Sequence, residues 1–196
     1  MSEQVSYVDG ALTVEQVPFA RIADEVGSPV YVYSKAGMTA RYRALEGALA
    51  GLPVSIYYAL KANSNLAVIR LFGELGAGMD VVSGGEMQRS LRVGVAADKI
   101  VFAGVGKTAV EIAAALDACI HQFNFESEHE LRLLNQVAAS KGVIAPAALR
   151  VKPDVDAKPP PQIPPCWTAN QLALANHRSP ASVSPAATPG PYRPAG

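Results

Sequence analysis

The chain has 196 residues with 17 basic and 17 acidic side chains, a length that suffices for one domain with a substantial core. A net charge of zero without a basic cluster gives no electrostatic reason to expect nucleic acid or an anionic membrane as a partner. The N-terminus lacks the charged and apolar regions of a secretory signal, and no apolar run approaches the roughly 20 residues of a membrane helix. A cytoplasmic protein is therefore expected.

The first part of the chain mixes β-prone pieces with short helical patterns. A β-prone piece covers residues 5–8, and one helical turn is predicted over 19–26. The composition of Val-Tyr-Val-Tyr at 30–33 predicts a strand. Ser34 is a candidate N-cap for the helix that follows, which is expected to end before Gly51.

From residue 54 onward, a strand-like run followed by a helical pattern repeats about every 20 to 26 residues. Repeated units of this kind predict a parallel sheet with helical crossovers. Without long insertions, they predict an α/β fold that is a partial (β/α)8 TIM-like barrel with about five of the eight strands. The strand-like runs begin near Val54, Met79, Lys99, His121 and Ala147, and the helical patterns cover 66–75, 86–93, 109–118 and 128–141.

Three of these helices begin with the spacing of a capping box. In such a box a Ser or Thr side chain caps the first turn, and a Glu three residues later reaches back to the cap's N–H. The three pairs are Ser83 with Glu86, Thr108 with Glu111, and Ser127 with Glu130.

The pattern ends near residue 153. Eleven of the 15 prolines lie between residues 153 and 196. Proline removes a backbone donor and disfavours helix at the residue before it, so residues 158–196 are predicted to form a disordered tail that adds no strand.

Lys61 follows the β-prone run that begins at Val54. Strand alternation places Tyr57, Ala59 and Lys61 on one face, with the lysine at the strand's carboxyl end. In a parallel α/β barrel, that end of the strands carries the chemistry. The spacing alone favours a solvated lysine that closes the strand.

Five sequence segments occur in order and without gaps between residues 29 and 157. They are YYALKAN at 57–63, GAGMDVVSGGE at 76–86, FAGVGKT at 102–108, FNFESEHEL at 123–131 and ALRVKPDVDA at 148–157. Together they resemble the diaminopimelate decarboxylase family of fold-type III pyridoxal-phosphate enzymes, which also include ornithine and arginine decarboxylases and alanine racemase. The resemblance implies pyridoxal 5'-phosphate as cofactor and decarboxylation of meso-2,6-diaminopimelate to L-lysine.

By motif position, the resemblance implies that Lys61 is the catalytic lysine that binds the cofactor aldehyde. The chemistry needs a primary amine, which condenses with an aldehyde and is then displaced by the substrate's amine. Asp80, Glu86 and Arg150 match family positions near the cofactor. The alternatives are a solvated strand-end carboxylate for Asp80 and a surface charge for Arg150. The capping box explains Glu86 equally well.

Two other patterns are set aside. The segment at 104–108 imitates the end of a phosphate-binding P-loop, but Val101 stands where that motif needs glycine. Cys119, Cys166 and the three histidines lack metal-ligand spacing, so neither a disulfide framework nor a metal site is expected. His129 is expected on an exposed helix face.

Where the resemblance applies and where it ends divide the chain into three segments. Residues 1–28 correspond to part of a β domain, residues 29–157 to part of the cofactor-binding barrel, and residues 158–196 to the proline-rich tail. The family continues with further barrel strands, a phosphate-binding loop and a C-terminal β domain, and it works as a homodimer. The hypothesis for the tail is a reading-frame shift near Lys158, which sequencing of the encoding DNA would test. Decarboxylation by this chain alone is expected to be negligible.

Two alternatives for the function stay open. The first is an ornithine or arginine decarboxylase of the same fold, although the VVSGGE and GVGKT segments favour diaminopimelate. The second is a non-catalytic fragment that binds pyridoxal phosphate or a partner. A small-molecule amino acid is the expected substrate, with no nucleic-acid or membrane partner.

Overall fold

A computed structural model describes residues 4–152, together with the backbone of residues 174–175 and 192–194. The chain divides into two compact units, Met1–Ile56 with Leu71–Ala77, and Tyr57–Arg70 with Gly78–Gly196. The segment boundaries expected after residues 28 and 157 stay predictions.

The first unit begins with a three-stranded antiparallel sheet. Its strands β1 (Val5–Val8), β2 (Ala11–Val14) and β3 (Val17–Pro18) lie in chain order, and α1 (Phe19–Val26) follows directly. Asp9 and Gly10 connect the first two strands with φ angles of 50° and 81°. An Asp-Gly pair favours this two-residue turn, because both residues tolerate positive φ. Strand β1 and helix α1 agree with the sequence predictions.

The strand predicted at 30–33 is wrong. The structure has no strand between α1 and the next helix, α2 (Lys35–Ala48), and Tyr31 and Tyr33 are exposed there. A β-prone composition expresses packing against neighbouring strands, which this segment lacks. Ser34 does begin α2 as predicted, since its Oγ accepts a hydrogen bond from the N–H of Gly37 at 2.8 Å.

The second unit contains a parallel sheet. Its strands lie side by side in chain order, whereas a doubly wound sheet reverses the order at a switch point. The predicted α/β fold, a partial TIM-like barrel of five strands, is therefore confirmed. These strands are β4 (Tyr57–Ala59), β5 (Gly78–Val81), β6 (Ile100–Phe102), β7 (Gln122–Phe125) and β8 (Ala145–Leu149).

Strand β4 differs from the prediction at both ends. It begins at Tyr57 rather than near Val54, and a 3₁₀ turn over Leu60–Ala62 replaces its last part. Lys61 therefore lies in the turn beyond the strand, not on a strand face.

Four helices connect the strands, with bounds within two residues of the predicted ones. They are α3 (Leu66–Leu75), α4 (Gly84–Arg92), α5 (Ala109–Asp117) and α6 (Glu128–Lys141), with a 3₁₀ turn over Ala97–Lys99 before β6. Within the part of the chain that the structure covers, none of the helices has the length and apolar character needed to cross a bilayer.

The two faces of the parallel sheet differ. One face is buried and carries large apolar side chains from β5, β6 and β7, which form the core with residues of the helices. The opposite face is half-buried, and register places Asp80 there between Ala59 and Val101. The buried residues of the first face are Met79, Val81, Ile100, Phe102, Phe123 and Phe125.

The tail contributes two short strands, so the prediction that it adds none is wrong at these positions. Strand β10 (Leu174–Ala175) pairs with β9 (Val151–Lys152), and β11 (Tyr192–Pro194) pairs with β8, both in parallel. The edge of β8 away from β7 offers backbone N–H and C=O groups that can bind another segment. The rest of the tail, for which disorder was predicted, lies outside the described residues.

Candidate active site

The turn that carries Lys61 is held in place by its neighbours. Leu60 is fully buried, whereas Lys61 is exposed. The hydroxyl of Tyr58 donates to the carbonyl oxygen of Asn63 at 3.0 Å, and the Asn63 side chain accepts the N–H of Asn65 at 2.9 Å. The side chain of Lys61 has no hydrogen bond or salt bridge to any residue in the described part of the chain. The structure thus presents a free amine on a fixed turn at the carboxyl end of β4.

Asp80 lies in β5, next to β4, and the charges of the other three predicted site residues act on it. Its Oδ1 is buried and has no hydrogen-bond partner among the described residues. Burial raises the pKa of Asp80 above its ordinary value; Lys61 and Arg150 oppose this, while Glu86 adds to it. The structure therefore places Lys61, Glu86 and Arg150 each within electrostatic reach of Asp80.

Glu86 does cap the start of α4, but not as a reciprocal box. Ser83 Oγ accepts the N–H of Glu86 at 3.3 Å, and Glu86 Oε2 accepts the N–H of Val82 at 2.8 Å. The carboxylate thus binds the residue before the cap. It also influences Asp80, so the two interpretations of Glu86 are compatible.

Arg150 follows β8, and its N–H donates to the carbonyl oxygen of Phe125 at 2.9 Å. Its side chain is 58% exposed, as a surface charge would be, but Nη1 donates to Oε1 of the buried Glu126 at 3.2 Å. Sequence reasoning did not single out Glu126. Glu126 lies directly after a strand, at the carboxyl ends of the strands, where Lys61 and Asp80 were also expected. That position was the signal that could have found it.

The loop after β5 is tied to the loop after β6 by a single carboxylate. Glu111 forms the predicted capping box with Thr108, whose N–H it accepts at 3.0 Å. Its other oxygen accepts the N–H of Gly84, at the start of α4, at 2.7 Å. These hydrogen bonds lower the pKa of Glu111, with the Gly84 bond as the largest cause. The bonds hold two loops of the candidate site in a fixed geometry.

The P-loop-like segment has a structural role. The ammonium of Lys107 is buried and donates to the carbonyl oxygen of Gly104 and, at 3.1 Å, to Glu130 Oε1. A Cβ on Gly104 would overlap the carbonyl oxygen of Val82, so glycine is needed for close packing there. These contacts explain the lysine and the first glycine without a bound phosphate.

The described histidines and cysteine take no part in the contacts given above for Lys61, Asp80, Glu86 and Arg150. His129 is exposed on α6 as expected, and His121 stacks against Tyr57 with ring centroids 6.2 Å apart. Cys119 is exposed. Cys166 and His177 lie outside the described residues.

The side chains around Asp80 fit the cofactor that the sequence resemblance implies. Lys61 supplies an unengaged primary amine, which is the group that reacts with an aldehyde. The buried Oδ1 of Asp80 is free to accept a hydrogen bond from a ligand, because no described residue uses it. A buried acceptor without a partner is costly, and a ligand that donates to this oxygen would offset that cost.

Comparisons with known proteins agree with the family resemblance of the sequence. A family model described as "Pyridoxal-dependent decarboxylase, pyridoxal binding domain" matches residues 35–164. Curated diaminopimelate decarboxylases from Pseudomonas aeruginosa and Vibrio cholerae are 48% and 49% identical over 87% and 79% of this chain. A crystal structure of diaminopimelate decarboxylase from M. jannaschii with L-lysine matches with a TM-score of 0.87 and 33% identity, covering 99% of this chain and 46% of that one. The chain spans 41% and 37% of the lengths of the two curated relatives.

Proposed function

Because the chain belongs to the pyridoxal-dependent decarboxylase family, we propose that it binds pyridoxal phosphate through Lys61 as the cofactor-binding part of a diaminopimelate decarboxylase. The observation that supports this most is a half-buried Asp80 whose Oδ1 has no partner among the described residues and which lies within electrostatic reach of Lys61, Glu86 and Arg150. All four lie at or just beyond the strands' carboxyl ends, where barrel enzymes carry their chemistry.

Each side chain has a distinct part in this proposal. Lys61 holds the cofactor through its amine, which neither a hydrogen bond nor an ion pair from the described residues occupies. Asp80 orients the cofactor through its free Oδ1, and Arg150 adds a positive charge beside that carboxylate. Glu86 fixes the loop after β5 through the N–H of Val82. Pyridoxal phosphate, when bound, supplies an electron sink for the electrons of the bond to the departing carboxylate.

Diaminopimelate is the proposed substrate because the relatives that are 43–49% identical are named as its decarboxylases. A solved relative that contains L-lysine is consistent with this choice. An ornithine or arginine decarboxylase of the same fold is the second candidate, and a lysine/ornithine decarboxylase from Vibrio vulnificus matches with 26% identity. A homodimer in the cytoplasm and the three-segment organisation of the chain also belong to the proposal.

The test of cofactor binding is a titration of the full chain with pyridoxal phosphate, followed by the visible absorbance of lysine-bound cofactor. We expect the band in the unchanged chain and its loss in Lys61→Ala, with affinity at least about 100-fold lower, or about 2.7 kcal/mol. Lys99→Ala is the matched control. Lys99 is also exposed in a 3₁₀ turn, but it lies before β6, at the amino ends of the strands. An unchanged band in Lys61→Ala, or an equal loss in Lys99→Ala, contradicts the proposal.

Release of carbon dioxide from diaminopimelate, ornithine and arginine is measured on the same samples. A full-length relative serves as the positive control. We expect the chain alone to bind cofactor yet release almost no carbon dioxide, since it spans only 41% of the length of such a relative. Turnover at ordinary enzyme rates, about 1 to 1000 per second, contradicts the second part of this expectation.

A further inference from the structure

Glu126 is a buried carboxylate that the proposed function does not use. It directly follows β7, and its side chain is only 4% exposed. Its N–H donates to Glu130 Oε2 at 3.0 Å, which fixes its backbone at the start of the next loop. Burial of an ionised carboxylate costs several kcal/mol unless partners compensate it, so its position calls for a reason.

The partner of Glu126 is unusual for a buried charge. Glu126 Oε1 accepts from Arg150 Nη1 at 3.2 Å, but the arginine side chain is 58% exposed. Glu126 Oε2 is buried and has no partner among the residues that the structure describes. An exposed guanidinium is well solvated without help, so burying a carboxylate against it is poorly explained as stabilisation of the fold.

Asp80 offers a reason for the ion pair between Glu126 and Arg150. The positive charge of Arg150 acts on the half-buried Asp80, which lies in the candidate site. An arginine side chain carries about 2 kcal/mol of rotamer entropy, so an exposed arginine occupies many positions unless one partner restrains it. The buried carboxylate of Glu126 supplies that restraint from a fixed position at the carboxyl end of β7.

We propose that Glu126 is a positioning residue, which holds the guanidinium of Arg150 at the carboxyl ends of the strands, facing the candidate site, so that the site is arranged before the cofactor binds. The inference rests on the proposed function, because it assigns Glu126 a role in the same site. Glu126 touches neither cofactor nor substrate and acts through Arg150.

The test is a double-mutant cycle on the full chain, with the dissociation constant for pyridoxal phosphate as the readout. We expect Glu126→Gln and Arg150→Ala each to weaken binding about tenfold, as loss of a supporting partner does at other sites. The combined variant is expected to bind no more weakly than Arg150→Ala, because both changes remove the same interaction. Glu128→Gln and Arg132→Ala are the matched controls, since that pair joins the same residue types at 2.7 Å on the exposed face of α6.

A conservative variant separates positioning from packing. Glu126→Gln keeps the volume of the side chain but removes its charge, whereas Glu126→Asp keeps the charge and leaves a small void. If the charge restrains Arg150, Glu126→Asp retains affinity within about threefold, because the exposed arginine can follow the carboxylate. If Glu126 only fills space, Glu126→Asp is the more damaging change. Far-UV circular dichroism shows that each variant is folded under the conditions of the titration.

The outcomes are distinct. Coupled losses in Glu126→Gln and Arg150→Ala, with recovery in Glu126→Asp, support the inference. Unchanged affinity in Glu126→Gln, additive losses in the cycle, or a greater loss in Glu126→Asp than in Glu126→Gln overturn it while the proposed function stands. If Glu126→Gln does not fold, a loss in Glu126→Asp equal to that in Arg150→Ala overturns it as well. Absence of the Lys61-dependent absorbance band in the unchanged chain overturns the proposed function and this inference together.

Discussion

Two lysines lie beyond the carboxyl ends of strands in the same sheet, and their surroundings are opposite. Lys107, in the loop after β6, is 4% exposed and binds Glu130 and the carbonyl oxygen of Gly104. Lys61, in the turn after β4, is exposed and has no hydrogen bond or ion pair within the described residues. An ammonium that the fold has fully engaged is not available to react. The comparison therefore gives Lys107 a structural role and leaves the side chain of Lys61 available for the role proposed above.

The loops around the two lysines show the same contrast. After β5, β6 and β7, a glutamate in the first turn of the next helix accepts a backbone N–H of the loop, at 2.8, 3.0 and 3.0 Å. The turn after β4 uses Asn63 and Asn65 for this purpose. The capping side chains of this turn are neutral amides. They therefore do not provide a carboxylate that could pair with the neighbouring Lys61.

Replacing each lysine by methionine gives the largest expected difference in stability. Lys107→Met leaves Glu130, which is 12% exposed, without its counter-charge and is expected to lower the free energy of unfolding by about 3 kcal/mol. This value lies at the lower end for a broken buried pair, because Glu130 still accepts hydrogen bonds from Glu126 and Ser127. Lys61→Met is expected to change stability by less than about 0.5 kcal/mol. Urea unfolding of the two variants measures the difference.

A further variant checks the cause. Adding Glu130→Gln to Lys107→Met removes the uncompensated charge and is expected to restore part of the lost stability. Equal urea midpoints for Lys107→Met and Lys61→Met would show that the two lysines do not differ as described.

The sequence predicted the parallel unit better than the segment before it. Period and capping signals located α3 to α6, because helix bounds depend on local residues such as Ser127 and Thr108. The strand at 30–33 was mispredicted, since β propensity is realised only where a neighbouring strand exists. The 3₁₀ turn at Lys61 was not predicted for a related reason. Apart from Ser55, the run Val54 to Leu60 is apolar, and periodicity alone does not fix where such a strand ends.

The candidate site was predicted from family-like motifs and not from the spacing of its residues. Lys61, Asp80 and Arg150 lie up to 89 positions apart in the chain, and only the strand order brings them together. Glu126 follows a strand as many residues do, and what distinguishes it is its burial and its contact with Arg150. Neither quantity can be read from a motif.

Glu111→Gln tests whether the locked loops depend on charge. Hydrogen bonds from Gly84 and Thr108 lower the pKa of Glu111 in the folded chain, so its contribution to stability is complete above the unfolded value near 4.5. That contribution is lost as the pH falls through the lowered pKa. We expect Glu111→Gln to cost about 1 kcal/mol at pH 7, as the loss of a helix cap does, and little at a pH below the lowered pKa. Urea unfolding at the two pH values measures this.

Glu128→Gln is the control for Glu111→Gln, because Glu128 lies in the first turn of α6 and, among the described residues, pairs with the exposed Arg132 alone. We expect it to cost less than about 0.5 kcal/mol. A loss in Glu111→Gln that is the same at both pH values would mean that the ionised carboxylate is not what ties the loops together.

Asp80→Asn is expected to have the smallest effect on stability and the opposite sign. Burial raises the pKa of Asp80, so the folded chain disfavours the ionised carboxylate. The cost is fully present above the raised pKa and absent below the unfolded value of 3.8, where the group is protonated in both states. The urea midpoint of Asp80→Asn should therefore exceed that of the unchanged chain at pH 7, and the gain should fade as the pH falls toward 3.8. Asp98→Asn, at an exposed position before β6, serves as the control.

The same Asp80→Asn variant should bind pyridoxal phosphate more weakly, because the amide removes the negative charge beside Lys61 and Arg150. A gain in stability together with a loss of cofactor affinity is expected where a side chain serves binding at the expense of stability. An unchanged affinity would make Asp80 the strand-end carboxylate of the simpler interpretation. A loss of stability at pH 7 would instead mean that Lys61 and Arg150 outweigh burial, and that the carboxylate stabilises the fold as well as the site.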